Sequence, residues 1–216
     1  MTLRKLPTLA PLMFRANRHL SEVSIELPDG RTRMAQFLGR GKFSNVFLYS
    51  EGRGRPTVYI YTKHGDLSKD ILSHVDRKNN KHIPLMQYLG PMFDGKIDVY
   101  RSQYYVTPVT RNNASASVIS IIKALQTVHA EACTKFPGDI IAKNQCIDFN
   151  YHIAENVKAP KKIREALCCI TESAQDWGNH YLFDDFRAKN LGLDPDGRLV
   201  FIDAMFDAEK LQRDRR

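Results

Sequence analysis

The sequence predicts an α+β fold, with a β-rich first part over 23–110 and a mainly helical second part over 111–216. Three observations predict it. Short runs rich in β-branched and aromatic residues, broken by turn signals, fill the first half. Two long segments with apolar residues at helical spacing follow in the second. A late hairpin signal, RLVFID after the turn DPDG, then carries acids at both ends.

Taken in order, residues 1–22 read as a basic N-terminal extension with room for a short helix. VSIEL (23–27) and TRMAQFL (32–38) flank the turn PDGR and predict a hairpin. FSNVFLYS (43–50), the turn EGRGRP and TVYIYTK (57–63) predict a second pair of strands. LSKDILSHVD (67–76) has apolar residues at 67, 71, 72 and 75, which predicts a short helix. IDVYR and SQYYVTPVT (97–110) read as two further strands. ASASVISIIKALQTVHAEA (114–132) predicts a helix with a thick apolar face. Residues 133–158 are mixed and take no assignment. APKKIREALCCITESAQDW (159–177) predicts an amphipathic helix with Pro160 near its first turn.

Composition narrows the classes. With 216 residues, 43% hydrophobic and 26% charged, the chain has a globular profile and length for one large domain or two small lobes. Its net charge of +8 favours acidic partners such as nucleotides, nucleic acid or acidic protein surfaces. The basic residues are scattered apart from a terminal RDRR, and no RNA-binding or helix-turn-helix signature accompanies them, so nucleic acid is not the expected partner. The four cysteines at 133, 146, 168 and 169 form no CxxC and read as reduced core thiols. The N-terminal apolar run is too short and broken for a signal peptide, and nowhere do eighteen apolar residues run together. The expectation is a cytoplasmic protein with no membrane partner.

Two motifs carry chemistry. LGRGKFSNVF (38–47) places Gly39, Gly41 and Ser44 ahead of Val46 between two predicted strands. Glycines let backbone N–H groups approach phosphates, although a plain β-turn explains them as well. In FDDFRAKNLGLDPDGRLVFIDAMFD (183–207), Asp185 precedes Asn190 by five positions, and Asp203 ends the apolar run LVFI. Carboxylate and amide oxygens of this kind suit a hard cation. The bland reading is that each acid caps a turn, as Asp194 and Asp196 do in the DPDG hairpin.

On LGRGKFS followed by NVFLY, on KHIPLMQYLG, and on FDDFRAKNLGL with VFIDAMFD, the chain resembles the protein-kinase-like superfamily, and more narrowly the small serine/threonine kinases of bacteriophages. The resemblance covers roughly residues 35–207. It implies a bilobal protein-kinase-like fold binding ATP between a nucleotide-binding first lobe and a truncated second lobe, hinged near Thr107–Arg111. It implies transfer of the ATP γ-phosphoryl group to protein hydroxyls with ATP and Mg²⁺ as cofactors, Asp185 as base, and Asn190 and Asp203 as metal ligands. Arg187, two places after the base, then meets the γ-phosphate, and Gly39, Gly41, Ser44 and Val46 contact the nucleotide. The implied partners are host proteins in the host cytoplasm, among them the transcription or RNA-processing machinery.

Departures from the family pattern leave alternatives. The strand lysine that contacts the phosphates falls near Tyr61, with Lys63 at the same strand parity as the replacement. The usual helix glutamate is missing, and Asp70, then Asp76, stand nearest to it. The histidine-arginine-aspartate triplet is Phe183-Asp184-Asp185, and the metal-binding triplet is Asp203-Ala204-Met205. Thirteen residues follow Asp203, fewer than a peptide-docking lobe uses. A non-catalytic, pseudokinase-like binder of host proteins and a small-molecule phosphotransferase of the aminoglycoside or choline kinase kind are the competing expectations.

Overall fold

In a computed structural model, the structure describes residues 22–40, 44–50, 56–65, 67–77, 79–137, 144–178 and 180–209. The extension up to residue 21, Gly41, most of the EGRGRP turn and the RDRR end lie outside the described residues. The fold is α+β, as expected, and the chain divides into two compact units. One holds the described residues of 22–65 with Met86–Tyr104, the other Leu67–Leu85 and the described residues from 105 onward. The helix near residue 70, placed in the first lobe by its position in the sequence, thus groups with the second unit.

The first unit is one six-stranded antiparallel sheet: β1 (Glu22–Glu26), β2 (Thr32–Arg40), β3 (Ser44–Tyr49), β4 (Thr57–Lys63), β5 (Met86–Met92) and β6 (Ile97–Gln103). Its spatial order is β1-β2-β3-β4-β6-β5. The PDGR turn closes the first hairpin, with Gly30 at φ +79°, a conformation glycine adopts without steric cost. Period-two alternation gives the sheet two faces. Ile25, Leu27, Ala35, Phe47, Tyr59, Tyr61 and Val99 form the core of one, where Phe47 stacks edge-on against Phe37 and Tyr61. Val58, Ile60 and Tyr100 form the other, with half-buried Val46, Leu48, Met86 and Tyr104 around them.

Strand β5 has no clear sequence signal because Gly90 and Pro91 interrupt it. Gly90 sits at φ +128° beside a register shift, and the strand lies at the sheet edge, where proline is tolerated. Of the two strands expected over 97–110, only β6 forms. Beyond it, Val106 makes one isolated bridge to Leu193, exchanging both backbone hydrogen bonds.

The second unit holds four helices among its described residues: α1 (Ser68–His74), α2 (Ala116–Lys135), α3 (Cys146–Asn156) and α4 (Lys161–Asp176). Ser115 caps α2 by accepting from the Val118 amide at 3.3 Å, and Val118, Ile122, Leu125, Val128 and Ala132 make its buried stripe. Helix α3 falls in the stretch without an assignment, and it buries Cys146, Phe149, Asn150, Ile153 and Ala154 at helical spacing. It packs between α2 and α4 and against strand β7 (Tyr181–Phe183). Each fully buried Leu, Ile or Phe here contributes about 1.5–3 kcal/mol.

Strand β7 pairs with β10 (Met205–Asp207), and β8 (Gly192–Leu193) pairs with β9 (Leu199–Val200) across the DPDG turn. Asp194 and Asp196 are turn residues, as the spacing implied: Asp194 accepts from the amides of Asp196 and Arg198, and Arg198 pairs with both acids. Burial pushes the Asp194 carboxyl up, but the hydrogen bonds and charge of Arg198 together hold it below the usual carboxylate value. Among the described residues no helix is long and apolar enough to cross a membrane.

Candidate active site

The β7–β10 ladder brings the acids of the 183–207 stretch together. Met205 pairs with Phe183, and the Asp184 amide continues the ladder by donating to the Ala204 carbonyl at 2.8 Å. Asp203 and Asp185 therefore leave the same end of the ladder. From the other side, the Asp203 amide donates to the Asn190 carbonyl at 3.0 Å, which ties the segment after β9 to a single 3₁₀ turn at Ala188–Asn190. Gly192, two places on, is where a Cβ would stand 2.7 Å from Tyr105 Cβ and 3.1 Å from Ile202 Cγ2, so only glycine lets the hairpin start there.

Between Asp185 and Asn190 the chain turns through Phe186 at φ +51°, an uncommon conformation for a bulky residue. Packing holds it there. Its ring is 1% exposed and meets Phe183, Phe201 and His129, while Gln126 donates to its carbonyl at 3.2 Å. His129 Nε2 also donates to the Phe183 carbonyl at 3.3 Å. Helix α2 thus fixes the backbone on both sides of Asp184 and Asp185, and strain is offset by burial next to a candidate base.

Asp184 is the centre of this arrangement, although sequence spacing left its role open. Its Oδ1 accepts from the Asp185 amide at 2.8 Å, and its Oδ2 accepts from Asn190 Nδ2 at 2.5 Å. Burial pushes the Asp184 carboxyl above the usual range, and the neighbouring charges of Asp185 and Asp203 act in the same direction. Because Nδ2 is spent on Asp184, the Asn190 amide is oriented and its Oδ1 is the end left to ligate a cation.

Asp185 pairs with Arg187, Nε to Oδ2 at 2.5 Å, and its Oδ1 is buried with no hydrogen-bond partner among the described residues. Arg187 itself is 64% exposed. The residues expected as base and γ-phosphate contact are thus neighbours joined through one carboxylate oxygen.

Asp203 has a partner that spacing did not point to. Lys69 Nζ, from the first turn of α1, donates to Asp203 Oδ1. The lysine side chain is 6% exposed and the aspartate 51%, so the ammonium is the buried member and the carboxylate reaches solvent. Helix α1 buries five successive residues, Ser68 through Leu72, against α4 and β10, and Ser173 of α4 donates to the Ile71 carbonyl at 3.2 Å. A buried ammonium group requires a partner, and Asp203 supplies it. Asp70 is also buried, while Asp207 lies 3.9 Å from His180.

In the first unit, the expected nucleotide contacts separate by sheet face. Val46 pairs with Ile60 and Ser44 with Thr62, so Ser44, Val46 and the fully buried Thr62 share one side. Tyr61 pairs with Asn45 and lies on the other side, where its hydroxyl donates to the Glu26 carbonyl at 2.7 Å and burial pushes its pKa up. Lys63 has the parity of Tyr61 and is exposed at the strand end. A period-two strand therefore puts Lys63 and Val46 on opposite faces of the sheet. Gly39, in β2, has open space where a Cβ would stand.

The donor set fits a magnesium ion. Mg²⁺ takes one or two protein oxygens and fills its remaining positions with water and phosphate. Asp203, half exposed, and the oriented Asn190 amide supply two such oxygens. Among the described residues no group of three or more His, Cys, Asp or Glu side chains is gathered as a metal site, so a cation here depends on that small set.

No protein-family model matches the chain, and neither does any curated protein. Solved structures do. Vaccinia related kinase 3 is similar at 11% identity over 90% of this chain and 55% of its own, with a TM-score of 0.35. The Cydia pomonella granulovirus kinase PK-1 is similar at 13% identity over 77% and 52%, with a TM-score of 0.34. A thermostable mutant of aminoglycoside phosphotransferase APH(4)-Ia is similar at 15% identity over 80% and 68%, with a TM-score of 0.37. The chain spans about half the length of the first two.

Proposed function

We propose that the chain is a phosphotransferase dependent on ATP and Mg²⁺, and specifically a serine/threonine protein kinase of the bacteriophage type acting on host proteins. The observation that carries this reading is the convergence of Asp185, Asn190 and Asp203 at one end of the β7–β10 ladder, with Asp185 Oδ1 buried and lacking a partner among the described residues. A base needs an acceptor lone pair held ready for a proton, and that oxygen has one.

In this reading Asp185 accepts the proton of the attacking hydroxyl as its oxygen bonds to the γ-phosphorus. The bond from that phosphorus to the bridging oxygen breaks, and ADP leaves. Arg187 meets the transferred group while staying joined to Asp185 Oδ2. Asp203 and Asn190 Oδ1 would hold Mg²⁺, which would offset the negative charge of the phosphates.

The test is transfer of label from γ-labelled ATP with Mg²⁺ in the presence of bacterial lysate. Label on protein serine or threonine is expected. Asp185→Asn lowers the rate by about 10²–10⁴-fold, the worth of a general base, while the far-UV circular dichroism stays that of the wild type. Label on an aminoglycoside or choline instead moves the acceptor to the small-molecule class. No transfer, together with no Mg²⁺-dependent thermal shift by ATP, overturns the reading and leaves a non-catalytic binder.

A further inference from the structure

We infer that Lys69 is the lysine that binds the nucleoside triphosphate, delivered by helix α1 in place of a sheet strand, and that it shares Asp203 with the metal so that metal and triphosphate depend on one another. The inference rests on the phosphotransferase reading and adds to it the source of the phosphate-binding charge.

Three observations carry it. The strand that would supply such a lysine puts Lys63 in solvent on the face opposite Val46, and the residue with Val46's parity, Thr62, has no charge. Lys69 is a buried ammonium whose tip already lies on the carboxylate expected to hold the metal. That carboxylate is half exposed, so Oδ1 serves the lysine while Oδ2 remains for a cation arriving from solvent.

The electrostatics give this geometry a consequence. A bare divalent cation approaching Asp203 meets the positive charge of Lys69 on the same carboxylate, and the two repel. A triphosphate would remove the conflict, because its oxygens would offer Lys69 a second anionic partner. Metal alone therefore binds weakly, and metal with triphosphate binds well. Such coupling is reciprocal by thermodynamic linkage. Removing the ammonium inverts the pattern: bare metal binds more tightly and the triphosphate less.

The experiment measures Mn²⁺ alone, and a β,γ-imido analogue of ATP with Mg²⁺, by calorimetry on the full chain as wild type, Lys69→Met, Lys69→Arg and Asp203→Asn. Lys69→Met is expected to bind bare Mn²⁺ several-fold more tightly and the Mg²⁺-analogue at least about tenfold more weakly, with Lys69→Arg recovering most of the analogue affinity. In the wild type, acylation of Lys69 by an amine-reactive ester, followed by mass spectrometry, should speed up with Mn²⁺ alone and slow down with the Mg²⁺-analogue. That readout needs no variant to fold. Lys69→Met keeping the analogue affinity, or losing both ligands together, overturns the inference, as does Lys69 labelling that neither ligand changes. If the wild type binds the analogue, the phosphotransferase reading survives that failure. If the wild type does not bind it, both fall.

Discussion

Asn190 donates its side-chain amide to the Asp184 carboxylate at 2.5 Å while its backbone carbonyl receives the Asp203 amide at 3.0 Å. One residue thereby sets the relative positions of two acids that lie nineteen residues apart in the chain. Asp184 in turn receives the Asp185 amide, so the proposed base and the proposed amide ligand are joined through a carboxylate that touches no substrate in the proposed mechanism, and Asp203 joins them through the Asn190 carbonyl.

That carboxylate has a pH signature. Asp184 is raised in the folded chain by burial, with the charges of Asp185 and Asp203 adding to the effect, so it holds its proton more tightly folded than unfolded. Its contribution to stability is greatest below the ordinary carboxylate value of about 3.9 and is lost as pH rises through the raised folded value. Urea unfolding of Asp184→Asn across that window should show a shallower decline with pH than the wild type. Equal slopes in the two proteins would place the titration elsewhere.

Arg187 separates function from stability. Its pair with Asp185 is largely exposed, and such pairs contribute about 0–1 kcal/mol. Arg187→Ala should therefore move the melting temperature by no more than about 4 °C in a chain of this size. Phosphoryl transfer should fall by about 10²-fold or more, because a charge aimed at the transferred group is lost. A large drop in melting temperature would show that Arg187 is chiefly a structural partner of Asp185.

The sequence made the acidic stretch legible because its ordering is local. Asp185, Asn190 and the DPDG turn lie within fourteen positions, and hairpin and loop spacing report directly on such neighbours. Asp203 followed from the apolar run that ends on it. Lys69 did not follow, since its partner is 134 positions away and only tertiary packing joins them. The face carried by Lys63 was equally hidden. Parity relates Lys63 to Tyr61 correctly, but the pairing of Val46 with Ile60 decides which face that is, and no pattern within β4 reports it. Helix α3 was missed because polar Asn150 and Tyr151 interrupt its apolar signal, and Asn150 is buried for its hydrogen bonds rather than its hydrophobicity.

Lys63 supplies a control for the placement of charge. It is exposed on the face opposite Val46, so Lys63→Ala should change unfolding free energy by no more than about 0.5 kcal/mol, as surface substitutions do. Affinity for the Mg²⁺-bound ATP analogue should stay at the wild-type value. A tenfold loss of that affinity would mean that the strand lysine reaches the nucleotide after all.

Asn150, like Gln126 and His129, supports the position of Asp184 and Asp185 from outside the site. It is fully buried in α3, donates Nδ2 to the Tyr181 carbonyl at 2.8 Å and accepts from the Phe183 amide at 2.9 Å. Those two groups are on the side of β7 that the β10 ladder leaves unserved, so the side chain stands in for a neighbouring strand. Asn150→Ala removes both partners, and each buried group left unsatisfied costs about 1–3 kcal/mol, so a total loss of about 2–6 kcal/mol is expected in urea unfolding. Asn150→Asp keeps the acceptor but turns the donor into a buried charge facing the Tyr181 carbonyl, and it should be at least as damaging. Hydrogen exchange gives the local readout: amides of Tyr181–Phe183 and Met205–Asp207 should lose protection together, because the two strands share one ladder. A loss below about 1 kcal/mol with unchanged exchange would show that β7 is held by its packing against α3 rather than by the Asn150 hydrogen bonds.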